Sequence, residues 1–217
     1  MSTDLLAPRL THVLWIGGAP CAGKSSIVER LARDHSLVTY HCDDAFSRHA
    51  ARATEHDHPE FYRVSRLSWD EIWMRPPEAL LADEVAIYGS EFPMILDDLL
   101  ALPDTRPIVA EGAALMPHLV APLLSDPRQG VWIVPTEPFL REQYPRRGAW
   151  VQEILDRCSR PQEALANWLG RDAAFAAGVS EEAMRMGLRV IHVDGSRTVE
   201  DHAAQLETQF SPLWERG

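Results

Sequence analysis

Eight consecutive residues constrain this chain more than any other feature of it. Gly18-Ala19-Pro20-Cys21-Ala22-Gly23-Lys24-Ser25 fits the pattern G-x-x-x-x-G-K-[ST]. The strand-like run Thr11-His12-Val13-Leu14-Trp15-Ile16 precedes it, and Ser25 to Asp34 follows with Ile27, Val28, Leu31 and Ala32 at helical spacing. A strand that turns through such a loop into a helix is a phosphate-binding arrangement. The glycines let successive backbone N–H groups turn inward around phosphate oxygens, and the helix N-terminus adds partial positive charge. Lys24 then reaches the β and γ phosphates, facing solvent rather than core, and the Ser25 hydroxyl is placed to ligate Mg²⁺. Gly18, Ala19, Pro20, Cys21, Ala22, Gly23, Lys24, Ser25 and Ser26 are therefore the expected nucleotide-binding residues. Composition picks out the same place: of the 21 lysines and arginines all but one are arginine, and the single lysine is Lys24. Arginine and lysine differ in geometry and hydration, so one ammonium among guanidiniums, inside this motif, fits a compact point charge on a flexible stem.

The rest of the chain alternates apolar strands with helical segments, which predicts a parallel sheet with ligands at the carboxyl ends of its strands. Ser36 to His41 is a strand ending in Cys42-Asp43-Asp44, so both acids point toward the phosphates. Ala45 to Leu102 reads as three or four helices punctuated by Pro59, Pro76-Pro77, Gly89 and Pro93, and forms the natural acceptor-binding insert. Arg106 to Gly112 is an apolar strand ending in Glu111, a position that suits an acid organising Mg²⁺ together with Ser25 and Asp44. Gly130 to Val134 leads through Pro135-Thr136 into an arginine-rich stretch. Leu188 to Val193 ends at Asp194-Gly195, and Thr198 with Asp201 makes a capping box for a last helix running through Phe210. One domain over 1–217 is expected.

Composition narrows the classes. With 46% hydrophobic and 24% charged residues the chain is an ordinary globular one, and Glu111 and His118 break its longest apolar run, so no membrane span is expected. Met1-Ser2-Thr3-Asp4 carries no basic region, and Cys21, Cys42 and Cys158 make no disulfide framework, which points to the cytoplasm. A net charge of −11 repels a polyphosphate backbone, so small ligands are expected rather than nucleic acid.

Several side chains carry two readings. Arg141 to Arg171 holds six arginines against four acids, a local excess that suits a lid over 141–178 closing on a transferring phosphoryl group. Arg141, Arg146, Arg147 and Arg171 are the expected contacts, with solvated helix faces accounting for about half of the six. Arg48, His49 and Arg52 follow the Asp pair at helical spacing and suit either an anionic acceptor or a solvated face. Trp69 and Trp73 share a helical face, for core packing or for stacking on a base or sugar. His41, His118 and His192 read as satisfied packing histidines, because no second His or Cys shares a metal-ligand spacing with them. Cys21, inside the loop, is open to oxidation.

Taken together, Gly18 to Ser25, Asp43-Asp44, Glu111, the arginine-rich stretch and Val193-Asp194-Gly195-Ser196-Arg197 resemble the small P-loop kinases. That group includes nucleoside monophosphate kinases, gluconate-type kinases and chloramphenicol phosphotransferase-like enzymes. The resemblance implies an α/β P-loop NTPase fold, a five-stranded parallel sheet in the order 2-3-1-4-5 flanked by helices. It implies Mg·ATP as donor, Asp43 as the base that takes the acceptor's proton, and adenine held by Gly195 to Arg197, with Arg171 also on the nucleotide. Lys24, Arg141 and Arg147 would neutralise the transferring group. Asp43, Arg48, Arg52, Trp73 and Glu111 would face a small-molecule acceptor, whose signature Ala45 to Leu102 does not disclose. Strand residues alternate faces, so if the strand continues through both acids only one of Asp43 and Asp44 meets the loop. The expected activity is transfer of the γ-phosphoryl group to a hydroxyl or phosphate of a small molecule, by a monomer or homodimer. A nucleoside or nucleotide kinase is the alternative, and a switch ATPase a further one. A guanine-reading N-K-x-D is impossible, because the only lysine is in the loop.

Overall fold

The structure, a computed structural model, describes residues 3–214, so the ends of the domain expected over 1–217 lie outside the described residues. The chain runs α1 (Thr3–Leu6), β1 (Val13–Gly18), α2 (Lys24–His35), β2 (Val38–His41), α3 (Cys42–Arg52), α4 (Pro59–Val64), α5 (Trp69–Trp73) and α6 (Pro77–Ala101). It continues through β3 (Ile108–Glu111), α7 (Pro117–Val120), β4 (Gly130–Pro135), α8 (Glu137–Gln143), α9 (Ala149–Leu155), α10 (Pro161–Arg185), β5 (Arg189–Val193) and α11 (Val199–Trp214). All strand pairs are parallel and the order is β2-β3-β1-β4-β5, as expected.

Two-residue alternation in the strands builds two cores. Val13, Trp15, Ile108, Ala110, Trp132 and Val134 face one side, where Phe92, Ile95 and Leu99 of α6 and Phe175, Val179 and Ala183 of α10 meet them. Leu14, Ile16, Val109, Val131 and Ile133 face the other, against Ile27, Val28 and Leu31 of α2 and Ala203, Leu206 and Phe210 of α11. Burial on both faces explains why the strands read as nearly continuous apolar runs. Among the described residues no helix is long and apolar enough to cross a membrane. Thr198 and Asp201 form the expected capping box, and α11 runs on to Trp214 rather than ending at Phe210.

Two expectations are corrected. Helix α3 begins at Cys42, so Asp43 and Asp44 sit in its first turn and strand alternation does not decide between them. The stretch 141–178 is not one lid either. Residues from Pro161 onward belong to α10, whose Phe175 and Ala176 are in the main core. Only the segment before α10 is free of the sheet core, and its Val151, Leu155 and Cys158 join Trp73 and Trp168 in a smaller cluster.

Candidate functional site

The loop between β1 and α2 owes its shape to its backbone. A Cβ on Gly18 would lie 1.9 Å from Ile133 O, and the next residue, Ala19, donates its N–H to that same carbonyl at 3.2 Å. The start of the loop is thereby stapled to β4. Cys21 and Gly23 have φ of 62° and 75°, both left-handed. No atom lies within 4 Å of a Cβ built on Gly23, so conformation and not space calls for glycine there. Gly23 caps α2 without a side-chain acceptor, and the first backbone bond into the helix is Ile27 N to Gly23 O, 3.1 Å. The N–H groups ahead of it have no intrahelical partner and make the helix start an anion-binding end.

Lys24 is 8% exposed, with Nζ donating to Ala19 O at 2.8 Å. This corrects the expected solvent-facing ammonium: the stem is packed under the loop, and burial lowers its pKa against the raising influence of Glu111 and Asp43. Ser25 Oγ donates to Glu111 Oε1 at 2.9 Å, and His41 Nδ1 reaches the same oxygen at 2.8 Å. His41 pairs with Glu111 across the β2–β3 register, so the histidine read as packing is instead a partner of the site's acid. Burial pushes the Glu111 carboxyl up, but the His41 hydrogen bond, the Lys24 charge and the Ser25 hydroxyl outweigh it and hold the group below its ordinary value. The hydrogen bond to Glu111 in turn raises His41. His118 and His192 are exposed and reach Glu182 and Ser180, each at 3.0 Å. Burial pushes the Cys21 thiol up, which disfavours the reactive thiolate.

Gly112 brings the start of α3, and with it Asp43, alongside. A Cβ there would sit 2.5 Å from Cys42 Cβ, so only glycine lets the end of β3 and the start of α3 close together. Asp43 and Glu111 thus border one cavity of about 470 Å³, lined on one side by Pro20 to Ser26. Its far wall includes Phe46, Trp73, Leu80, Tyr88 and Trp168, with the Trp73 and Trp168 rings stacked at 3.9 Å between centroids. Arg171 lies over both rings, with Nε 3.2 Å from Glu84 Oε2 and Nη2 2.5 Å from Asp172 Oδ1. Arg147 lies 3.6 Å from Asp172 and over the Trp150 ring. Arg75 is 2.6 Å from Asp83, which also takes Arg63 at 2.7 Å. Burial pushes the Glu84 carboxyl up to about 7, against the opposing pull of Arg171.

Of the residues singled out in the sequence, Pro20 to Ser26, Asp43, Glu111, Trp73, Arg147 and Arg171 meet at this cavity. Gly18 and Ala19 lie beneath the loop and shape it. Asp44 is exposed and does not line the cavity, because one residue along a helix turns its side chain away from Asp43's. Arg141 and Arg146 are spent along their own segment on Glu137 and Glu142. Arg48 and Arg52 reach Asp98, where His49, fully buried, is also held between Asp98 and Glu91, so this trio lies at the α3–α6 contact and does not line the cavity. Gly195 and Arg197 are in the exposed loop after β5, outside this cavity. Trp69 packs into the cluster beside Trp73. Sequence reading missed Glu84, Tyr88, Trp168 and Asp172. Their signal was there: acids inside the apolar spacing of α6 and α10, four residues from an aromatic (Glu84 and Tyr88, Trp168 and Asp172).

Among the described residues no three His, Cys, Asp or Glu side chains converge as a metal cage. No protein-family model matches the chain, and no curated protein matches it in sequence.

Proposed function

We propose that the chain is an ATP-dependent phosphotransferase that moves the γ-phosphoryl group of Mg·ATP to a small molecule held in the same cavity. The observation that carries this reading is the opening of the left-handed Cys21–Gly23 turn and Lys24 onto a half-open cavity bordered by Asp43. The unpaired N–H groups at the start of α2 receive phosphate oxygens, and Lys24 exchanges Ala19 O for them. Ser25 and Glu111 fit Mg²⁺: a hydroxyl and a carboxylate held ionised lie 2.9 Å apart at the loop, and such sites need only one or two protein ligands beside phosphates and water. When bound, Mg²⁺ neutralises charge on the β and γ oxygens. Asp43 orients the acceptor and takes its proton, while Lys24 faces the transferring group and Arg147, opposite Asp172, stands on the wall. The loop at Gly195 and Arg197 remains the proposed adenine contact, and Arg171, paired twice, acts as wall rather than as a free cation.

A walled chamber beyond the loop favours transfer over a switch or motor, which needs no acceptor. ADP release measured with and without candidate acceptors tests the reading. Release that depends on an acceptor and stops in EDTA supports it, whereas equal release without any acceptor replaces it with an ATPase. Glu111→Gln is expected to raise the Mg²⁺ requirement more than the acceptor KM.

A further inference from the structure

Away from the loop, Phe46, Ile72, Trp73, Leu80, Tyr88 and Trp168 give the cavity an apolar, aromatic side among charged groups. Three guanidiniums border that wall, and each is already matched. Arg147 and Arg171 stand against Asp172 and Glu84, two cations to two carboxylates. Arg75 and Arg63 share Asp83, and Arg63 is further held by Glu60 at 2.8 Å, again two to two. Lys24 belongs to the donor loop. Asp43 is the one cavity carboxylate with neither ion pair nor side-chain hydrogen bond among the described residues, and it serves the acceptor hydroxyl. An acceptor bearing its own phosphate or carboxylate would have to bury an anion with no free cation, or break a matched pair to obtain one, and both are strongly unfavourable.

Resting on the phosphotransferase reading, we infer that the acceptor is an uncharged alcohol on an apolar, ring-bearing body, and not a nucleoside monophosphate or a sugar acid. Its ring lies against the Trp73, Trp168 and Tyr88 side of the chamber, where aromatic contacts reward a flat apolar group. Its hydroxyl points back to Asp43. In the transfer the hydroxyl oxygen forms a bond to the γ-phosphorus as the bond from that phosphorus to the β,γ-bridging oxygen breaks. The bridging oxygen keeps the electron pair and leaves on ADP, and the hydroxyl proton passes to the Asp43 carboxylate.

The test uses matched probes on the full chain at about pH 8, where Glu84 is ionised. Three alcohols, 2-phenylethanol, cyclohexylmethanol and 2-naphthylmethanol, are each compared with a carboxylate of the same ring: phenylacetate, cyclohexanecarboxylate and 2-naphthoate. AMP and gluconate complete the set. Calorimetry first measures binding of Mg·ADP and then of each probe, and ³¹P NMR follows phosphate-ester formation from Mg·ATP. At least one alcohol is expected to bind about tenfold or more tighter than its carboxylate, AMP and gluconate, and to be phosphorylated. Anions binding as tightly as the alcohols, or no alcohol binding at all, would overturn the inference. Failure of Mg·ADP to bind would instead remove the phosphotransferase reading and the inference with it. Glu84→Gln leaves Asp172 alone opposite two arginines, so the preference for alcohol over carboxylate is expected to narrow by about fivefold or more. A preference unchanged in that variant would also overturn the inference, since charge matching would not be its source.

Discussion

The two ends of the cavity are built in opposite ways. The loop end comes from consecutive residues, and its shape is fixed by backbone: the contact of Gly18 with Ile133, the left-handed Cys21 and Gly23, and the start of α2. The far end, proposed to hold the acceptor, is assembled from α3, α4, α5, α6, α9 and α10, and its shape is fixed by side chains, through the Trp73–Trp168 stack and the ion pairs of Arg171. A site built of backbone can lose a functional side chain without losing its form. In a site built of side chains, the groups that meet the ligand also hold the helices together, so activity and stability change together.

The largest expected effect falls at the loop. Lys24→Ala is expected to lower phosphoryl transfer by about 10³-fold or more, through loss of a charge aimed at the transferring group. Unfolding stability should change by only about 1 kcal/mol, for one hydrogen bond to Ala19 O. Turnover measured beside urea unfolding checks both halves, and a large loss of stability would break the contrast. Across the cavity the pattern reverses. Trp168 is 3% exposed and touches Trp73, Tyr144 and Trp150. Trp168→Ala is therefore expected to cost about 3–5 kcal/mol in the same unfolding experiment.

The same difference explains what was legible in the sequence. The strands, their helices and the loop are written locally, as apolar runs, helical spacing and one contiguous motif, and they appear where those signals lie. The pairing of His41 with Glu111 depends on the β2–β3 register, which no local pattern carries. Glu84 and Asp172 meet only because α6 packs on α10, so each reads alone as a misplaced acid in an apolar helix. Arginines were the most misleading signal. Arg141 and Arg146 resemble Arg147 in the sequence, yet neighbouring acids one turn away on their own segment satisfy them, and only Arg147 meets the cavity. Asp43 and Asp44 were separable only once the helix start at Cys42 was known.

That pair gives the next test of the contrast, because Asp43 stands where the two ends meet. Asp43→Asn is expected to reduce kcat by about 10²-fold with nucleotide binding little changed, as for removal of a general base. Asp44→Asn, at an exposed position off the cavity, should stay within about 0.5 kcal/mol of the parent in stability. Its turnover should be nearly unaffected. Steady-state kinetics on both variants decides the matter, and an inactive Asp44→Asn protein beside an active Asp43→Asn one would move the base by one residue.

The smallest expected effect tests whether the far wall of the cavity is electrostatically coupled to the fold. Glu84 has an ordinary value of 4.5 and is pushed up to about 7 in the folded chain, chiefly by burial. Between those values the folded state holds more protons than the unfolded one, so stability falls as pH rises. The contribution is complete below about pH 4.5 and is lost as pH climbs through about 7. Glutamine mimics the protonated side chain at every pH. Glu84→Gln should therefore nearly match the parent at about pH 5, where both side chains are neutral, and become the more stable of the two as the pH is raised. Thermal melts of both proteins from about pH 5 to about 8 read this as a Tm difference that grows with pH in the variant's favour, with all other carboxylates cancelling in the subtraction. A difference constant across that range would show that Glu84 stays ionised in its pair with Arg171.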